Sequence, residues 1–176
     1  MVLFGHSMGA RIALESWAFD SSRVAGLILA DFAVDGTVTE KEREGRDQRV
    51  KGAHENGMSS LLDSWLKPMV AEGFDENERF KELEHMVLNE TPGSHEQQIE
   101  ALLNRPNAET YLKEIRCPTL LLVGEEDRWS PPSLHVEIAD KVTGSQLEVV
   151  KRAGHFLPFE CPDIVATLID DWIERI

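Results

Sequence analysis

Short apolar runs along this chain each stop abruptly at small or ionisable residues. Met1-Val2-Leu3-Phe4 ends in Gly5-His6-Ser7, and Val24-Ala25-Gly26-Leu27-Ile28-Leu29-Ala30 ends in Asp31. Thr119-Leu120-Leu121-Leu122-Val123 ends in Gly124-Glu125-Glu126-Asp127. Apolar runs of this length, without polar alternation, read as strands buried on both faces, as a parallel sheet requires. Gln146-Leu147-Glu148-Val149-Val150 reads as a last strand, leading into Arg152-Ala153-Gly154-His155. Between the first two runs, Ala10 to Ala18 shows helical periodicity and good helix formers. Strand, helix, strand at this spacing is a βαβ unit. Pro131-Pro132 opens a helix to about Val142, proline being tolerated in a first helical turn. Pro162 to Ile176 reads as a closing amphipathic helix.

The pattern changes between Gly36 and Arg116. Charge rises, β-branched runs vanish, and helical segments separated by Gly, Pro and Asn take over, as in Ser60 to Leu66 and Glu76 to Leu88. Ser94-His95-Glu96-Gln97 ahead of Ile99 to Leu103 reads as a capping box opening a helix. Apolar side chains recur at helical intervals throughout, which points to a helical insertion and not a linker. The expected organisation is an α/β core in 1–36 and 117–176, with four parallel strands and flanking helices, and an inserted helical cap over 37–116.

Charge narrows the partners. The 176 residues carry a net charge of −14, and the acidic residues are spread along the chain. A nucleic-acid backbone needs clustered Lys and Arg, and so does an anionic membrane surface, so both are disfavoured. The apolar runs are too short to span a bilayer. The N-terminus lacks a charged segment followed by an apolar one, so no secretory signal is expected. Cys117 and Cys161 are isolated, each preceding a proline, with neither metal nor disulfide spacing. That usage fits a reducing cytoplasm. His54, His85, His95 and His135 stand without ligand-like neighbours, and no His-Glu-x-x-His occurs, so neither a metal nor a cofactor is implied.

The candidate chemistry sits where the runs stop. A serine hydroxyl is a weak nucleophile until a base takes its proton and a third group orients that base. Gly5-His6-Ser7-Met8-Gly9 has the Gly-x-Ser-x-Gly form of a strand-to-helix turn that exposes a strained serine, the two glycines allowing close backbone approach. The following helix aims unsatisfied N–H groups and its positive end at the reacting oxygen, which makes the Met8 N–H an oxyanion donor. An acid and a histidine are then expected later in the chain, each just past a strand. Asp127 and His155 fit, with Asp31 a rival acid at the end of the second run. His6 is expected to pack away from Ser7 in a structural role. Trp65, Met69 and Phe74 are candidates to line an acyl pocket or to pack a helical core, and Trp129 is a further pocket candidate. The run from Glu40 to Asp47 reads as a solvated helix face.

Taken together, Gly5 to Gly9, Cys117 to Asp127 and Ala153-Gly154-His155-Phe156-Leu157-Pro158-Phe159-Glu160-Cys161-Pro162 resemble the α/β-hydrolase-fold serine hydrolases, of esterase or lactonase type. Asn104-Arg105-Pro106-Asn107 also resembles an Arg-Pro-Asp element of small esterases and enol-lactonases in that family. The resemblance implies Ser7 as nucleophile, His155 as general base and later acid, and Asp127 as orienting carboxylate. It implies a small ester or lactone substrate, and a helical cap between the sixth and seventh family strands. Serine at the elbow argues against dehalogenase and epoxide-hydrolase chemistry, whereas carbon–carbon hydrolases and perhydrolases share the same triad. In the family the elbow follows the fifth strand of a sheet of about eight. The chain is therefore expected to match the C-terminal portion of the fold and to leave one apolar edge of its first strand open. A non-catalytic binding or structural role is the alternative that this expectation raises, and edge pairing between chains is a possible mode of association.

Overall fold

A computed structural model describes residues 1–176. Its sheet has four strands, all parallel, in the spatial order β1 (Val2–His6), β2 (Gly26–Ala30), β3 (Thr119–Gly124), β4 (Gln146–Val150). Strands β2 and β3 are buried along their whole length. The reason is visible in the side-chain alternation. Leu27, Leu29 and Leu121 join the core built with Leu14 and Trp17 of α1 (Met8–Phe19) and Ile138 of α5 (Pro132–Lys141). Ile28, Ala30, Leu120 and Leu122 join the other, with Leu157 of α6 (Leu157–Glu160) and Val165 and Trp172 of α7 (Pro162–Ile173). Both pleats meet helices, so the strands read as unbroken apolar runs. Strand β1 is a sheet edge, and Val2 and Phe4 on it are exposed, as is Met1 just before it.

The chain divides into two units: Met1–Asp35, Met69–Glu72 and Ala108–Ile176 around the sheet, and Gly36–Pro68 with Gly73–Asn107. The second unit is built on α2 (Glu40–Asn56), α3 (Phe80–Leu88) and α4 (Pro92–Leu103), with a π-helical turn at Leu62–Leu66 and a 3-10 turn at Phe74–Glu76. Arg105 closes it on itself, donating to Glu42 Oε1 (2.8 Å), the Leu102 carbonyl (2.9 Å) and the Thr37 carbonyl (2.8 Å). Helix α4 starts earlier than the Ser94 capping box suggests. Thr91 is the N-cap, accepting from the Ser94 N–H at 3.1 Å, and Pro92 takes the first helical position, where its missing N–H costs nothing.

His135 shows how a titratable group is built into the sheet unit. It is fully buried; its Nε2 accepts the Phe32 N–H at 3.3 Å and its Nδ1–H donates to the Pro131 carbonyl at 3.3 Å. The ring is thereby fixed neutral, and burial pulls its pKa from 6.5 down to about 4. The unfolded chain binds this proton first as pH falls, so the stability contribution is full above pH 6.5 and is lost on descent to about pH 4. The unfolding free energy, followed by urea titration across this window, is expected to drop by about 3 kcal/mol from this group. His135→Leu should flatten that slope, while being less stable at neutral pH because the Phe32 N–H loses its acceptor.

Candidate active site

Three of the four strands hand the chain to a residue with left-handed backbone: Ser7 (φ 51°) after β1, Asp31 (φ 49°) after β2 and Arg152 (φ 57°) after β4. Such conformations are strained for residues with a Cβ and persist only where the surroundings impose them. At Ser7 the surroundings are explicit. Its N–H donates to the Ala30 carbonyl at 2.8 Å, and its carbonyl accepts from the Ala10 N–H at 3.1 Å. A Cβ on Gly5 would stand 2.3 Å from the Gly9 carbonyl oxygen and 2.6 Å from the Ala10 Cα, so only glycine lets helix and strand approach this closely. Gly9 departs from the sequence expectation, because a Cβ there meets nothing within 4 Å. The close approach is one-sided: Gly9 supplies the carbonyl and Gly5 the room.

Ser7, His155 and Asp127, far apart in sequence, stand in one hydrogen-bonded line. The Ser7 hydroxyl donates to His155 Nε2 at 2.8 Å, and His155 Nδ1–H donates to Asp127 Oδ2 at 2.8 Å. Asp127 Oδ1 accepts from the backbone N–H groups of Trp129 (2.8 Å) and Ser130 (3.0 Å). A carboxylate only accepts, so the proton sits on Nδ1 and the Nε2 lone pair faces Ser7. Burial raises the Asp127 carboxyl, but its bond to His155, the electrostatic pull of that imidazole and the two N–H donors outweigh this and hold it below its ordinary 3.8. Met8 begins α1, so its N–H has no intrahelical acceptor.

The rival acid lies elsewhere. Asp31 is fully buried, accepts the Gly124 N–H on Oδ1 at 3.0 Å, and brings Oδ2 within 3.4 Å of His6 Nε2. His6 Nε2–H in turn donates to the His155 carbonyl at 2.5 Å, and the two imidazoles are 5.4 Å apart. His6 is thus bonded to the backbone of the residue that Ser7 meets, a contact no local pattern announces. Burial lowers the His6 pKa, but the hydrogen bond and charge of Asp31 overcome this and raise it above 6.5. Burial likewise raises the Asp31 carboxyl above its ordinary value, against the pull of His6.

The remaining candidates scatter. Trp129 is 44% exposed beside Asp127. Trp65 meets His95 at a tilt, with ring centroids 5.9 Å apart, inside the helical unit, and His54 pairs with Glu96 there. Phe74 sits in the 3-10 turn, whereas Met69 belongs to the sheet unit and its carbonyl accepts the His155 N–H at 2.7 Å. No group of three or more His, Cys, Asp or Glu side chains is arranged to hold a metal ion. No helix is long and apolar enough to cross a membrane.

The sequence profile described as the Alpha/beta hydrolase family matches residues 2–168. With this fold, the chain belongs to the α/β hydrolase family. Among solved structures it is similar to a thermophilic esterase from Thermogutta terrifontis, with a TM-score of 0.91 at 28% identity over 99% of this chain and 65% of that one. The enol-lactonase from Burkholderia xenovorans LB400 shares the fold at a TM-score of 0.82 and 20% identity, over 97% of this chain and 64% of that one. Among curated proteins, 2-hydroxy-6-oxononadienedioate/2-hydroxy-6-oxononatrienedioate hydrolase 2 of Pseudomonas putida is 24% identical over 98% of this chain and 62% of its own length. The chain therefore spans somewhat less than two thirds of these relatives.

The depressed Asp127 carboxyl fixes the sign of an acid effect. Its native value lies below the unfolded 3.8, so its contribution to stability is complete above that pH and is lost as pH falls through the native value. Asp127→Asn is expected to cost about 2 kcal/mol at neutral pH, the scale of hydrogen bonds to a charged group. In chemical denaturation, the gap between the two proteins should narrow once the pH drops below 3.8.

Proposed function

We propose that the chain carries the catalytic site of a serine hydrolase acting on small carboxylic esters or lactones through an acyl-Ser7 intermediate. The carrying observation is the unbroken relay, Ser7 Oγ to His155 Nε2 at 2.8 Å and His155 Nδ1 to Asp127 Oδ2 at 2.8 Å. In this reading Ser7 Oγ bonds to the acyl carbon as its proton passes to His155 Nε2. Asp127 stabilises the resulting imidazolium and keeps its orientation. The carbonyl oxygen becomes an oxyanion, and the Met8 N–H at the positive end of α1 donates to it. Collapse breaks the bond to the alkoxy oxygen, which leaves with the proton from His155. Water then attacks the acyl-Ser7 ester with His155 again as base, regenerating the hydroxyl and releasing the acid. The steps use no cofactor.

The insertion over residues 37–116 is read as the cap of the fold, with Met69–Glu72 and the residues from Ala108 on belonging to the sheet unit, and the substrate is read as a small molecule. The esterase and lactonase named among the structural relatives support the ester and lactone classes. The Pseudomonas relative favours one second reading, hydrolysis of a carbon–carbon bond beside a ketone, in which the same relay operates on a carbon leaving group.

A fluorophosphonate probe and p-nitrophenyl esters test the proposal. The unaltered chain should label and turn over, and Ser7→Ala should abolish both. Asp127→Asn should lower kcat by about 10⁴-fold, the cost of presenting the wrong imidazole tautomer. Asp31→Asn should cost far less, since Asp31 makes no hydrogen bond to the His155 ring and stands behind His6. Folded protein that fails to label at Ser7 refutes the assignment.

A further inference from the structure

Glu160 ends the short helix α6 in an apolar stretch, Leu157-Pro158-Phe159-Glu160-Cys161, and is 8% exposed. No Lys, Arg or His forms an ion pair with it. Its partners are backbone donors: Oε2 accepts from Ala71 N–H (2.7 Å) and Gly154 N–H (2.9 Å), and Oε1 from Phe156 N–H (3.0 Å). Gly154 and Phe156 flank His155. Ala71 lies in the Met69–Glu72 segment, whose Met69 carbonyl accepts the N–H of His155 itself at 2.7 Å. The two segments touch backbone to backbone, since a Cβ on Gly154 would lie 2.6 Å from the Ala71 nitrogen and 2.7 Å from the Met69 oxygen. Glu126 Oε2 secures the far end of the segment by accepting the Glu72 N–H at 3.0 Å.

We infer that Glu160 is a positioning residue of the site: its carboxylate clamps the backbone on both sides of His155 to the Met69–Glu72 segment, and so holds the imidazole in line between Ser7 and Asp127. The inference rests on the proposed relay and deepens it. Three converging N–H donors call for a group that only accepts and has two oxygens, which among side chains means an ionised carboxylate. Glutamine offers one oxygen and turns its NH₂ against an N–H. Aspartate keeps the charge but is one methylene too short to meet all three donors. Burial raises the Glu160 carboxyl above its ordinary value even against these three N–H groups, so the charged form costs the native state free energy. The ion is held by these three N–H groups, and two of them fix the backbone on either side of His155.

The test uses the full chain carrying Glu160→Gln, Glu160→Asp or neither, with p-nitrophenyl butyrate as substrate. Proton NMR follows the low-field Nδ1–H of His155. Glu160→Gln should lower kcat about 10- to 100-fold, as expected for a displaced proton acceptor. KM should stay within about twofold, because a group acting only through His155 leaves ground-state binding intact. The Nδ1–H signal should broaden or shift while thermal unfolding remains cooperative. Glu160→Asp should recover part of kcat. The same NMR comparison in a Ser7→Ala background reads the imidazole without turnover. If the unaltered chain does not cleave the ester, the hydrolase reading fails and the NMR comparison still decides the role of Glu160. An unmoved, sharp Nδ1–H signal in folded Glu160→Gln overturns the inference, as does an unchanged kcat. Failure of both variants to fold also overturns it, by making the carboxylate a folding group.

Discussion

Backbone crossings at the carboxyl end of the sheet, too close for a side chain at one partner, are the constraint on which the site depends. A Cβ on Gly5 would stand 2.3 Å from the Gly9 carbonyl, and one on Gly124 2.3 Å from the Gly154 carbonyl and 2.4 Å from that of Ala153. The first crossing lets α1 start directly over β1, which forces Ser7 into its left-handed conformation. The second lets the segment carrying His155 run over the end of β3, next to Asp127. The third, at Gly154, brings in the Met69–Glu72 segment. Each exchanges side-chain packing for backbone proximity, and proximity brings hydroxyl, imidazole and carboxylate within hydrogen-bond reach.

Three buried carboxylates gather at this rim, and their surroundings separate them. Asp127 has two N–H donors and an imidazole, and its carboxyl is held low. Asp31 has one N–H donor and His6, and burial leaves its carboxyl raised. Glu160 has three N–H donors, no cation, and a raised carboxyl as well. Only Asp127 meets the His155 ring. Asp31 meets the His155 carbonyl through His6, and Glu160 meets the N–H groups on either side. The backbone of His155 is thus held at its own N–H by Met69 and at its carbonyl by His6. A histidine that must keep its ring fixed while a proton moves across it gains from such redundancy.

Much of this was legible along the chain. The strands could be read because both faces of the sheet are covered, which turns a three-dimensional fact into a continuous apolar run. Ser7, Asp127 and His155 could be nominated because each follows such a run, and parallel strands bring their ends to one rim. Other features were not legible. Along the chain Ser94 mimics a cap for α4, while the helix is capped three residues earlier by Thr91, followed by Pro92. The two glycines of the turn look equivalent in sequence, but the close approach needs the missing Cβ at Gly5. Glu160 left one faint trace, an acidic residue alone in an apolar stretch.

What the sequence determined by itself was the class of fold, the order of its strands along the chain and the residue types waiting at their ends. These follow from local rules, apolar runs and turn-forming glycines, that act over a few neighbouring positions. Only the tertiary structure decided which acid faces the His155 ring, where His6 points, and what Glu160 and the Met69–Glu72 segment hold. Those choices are hydrogen bonds a few ångströms long between groups from 4 to 149 residues apart. Distances on that scale depend on how backbones cross in space, and no periodicity along the chain encodes them.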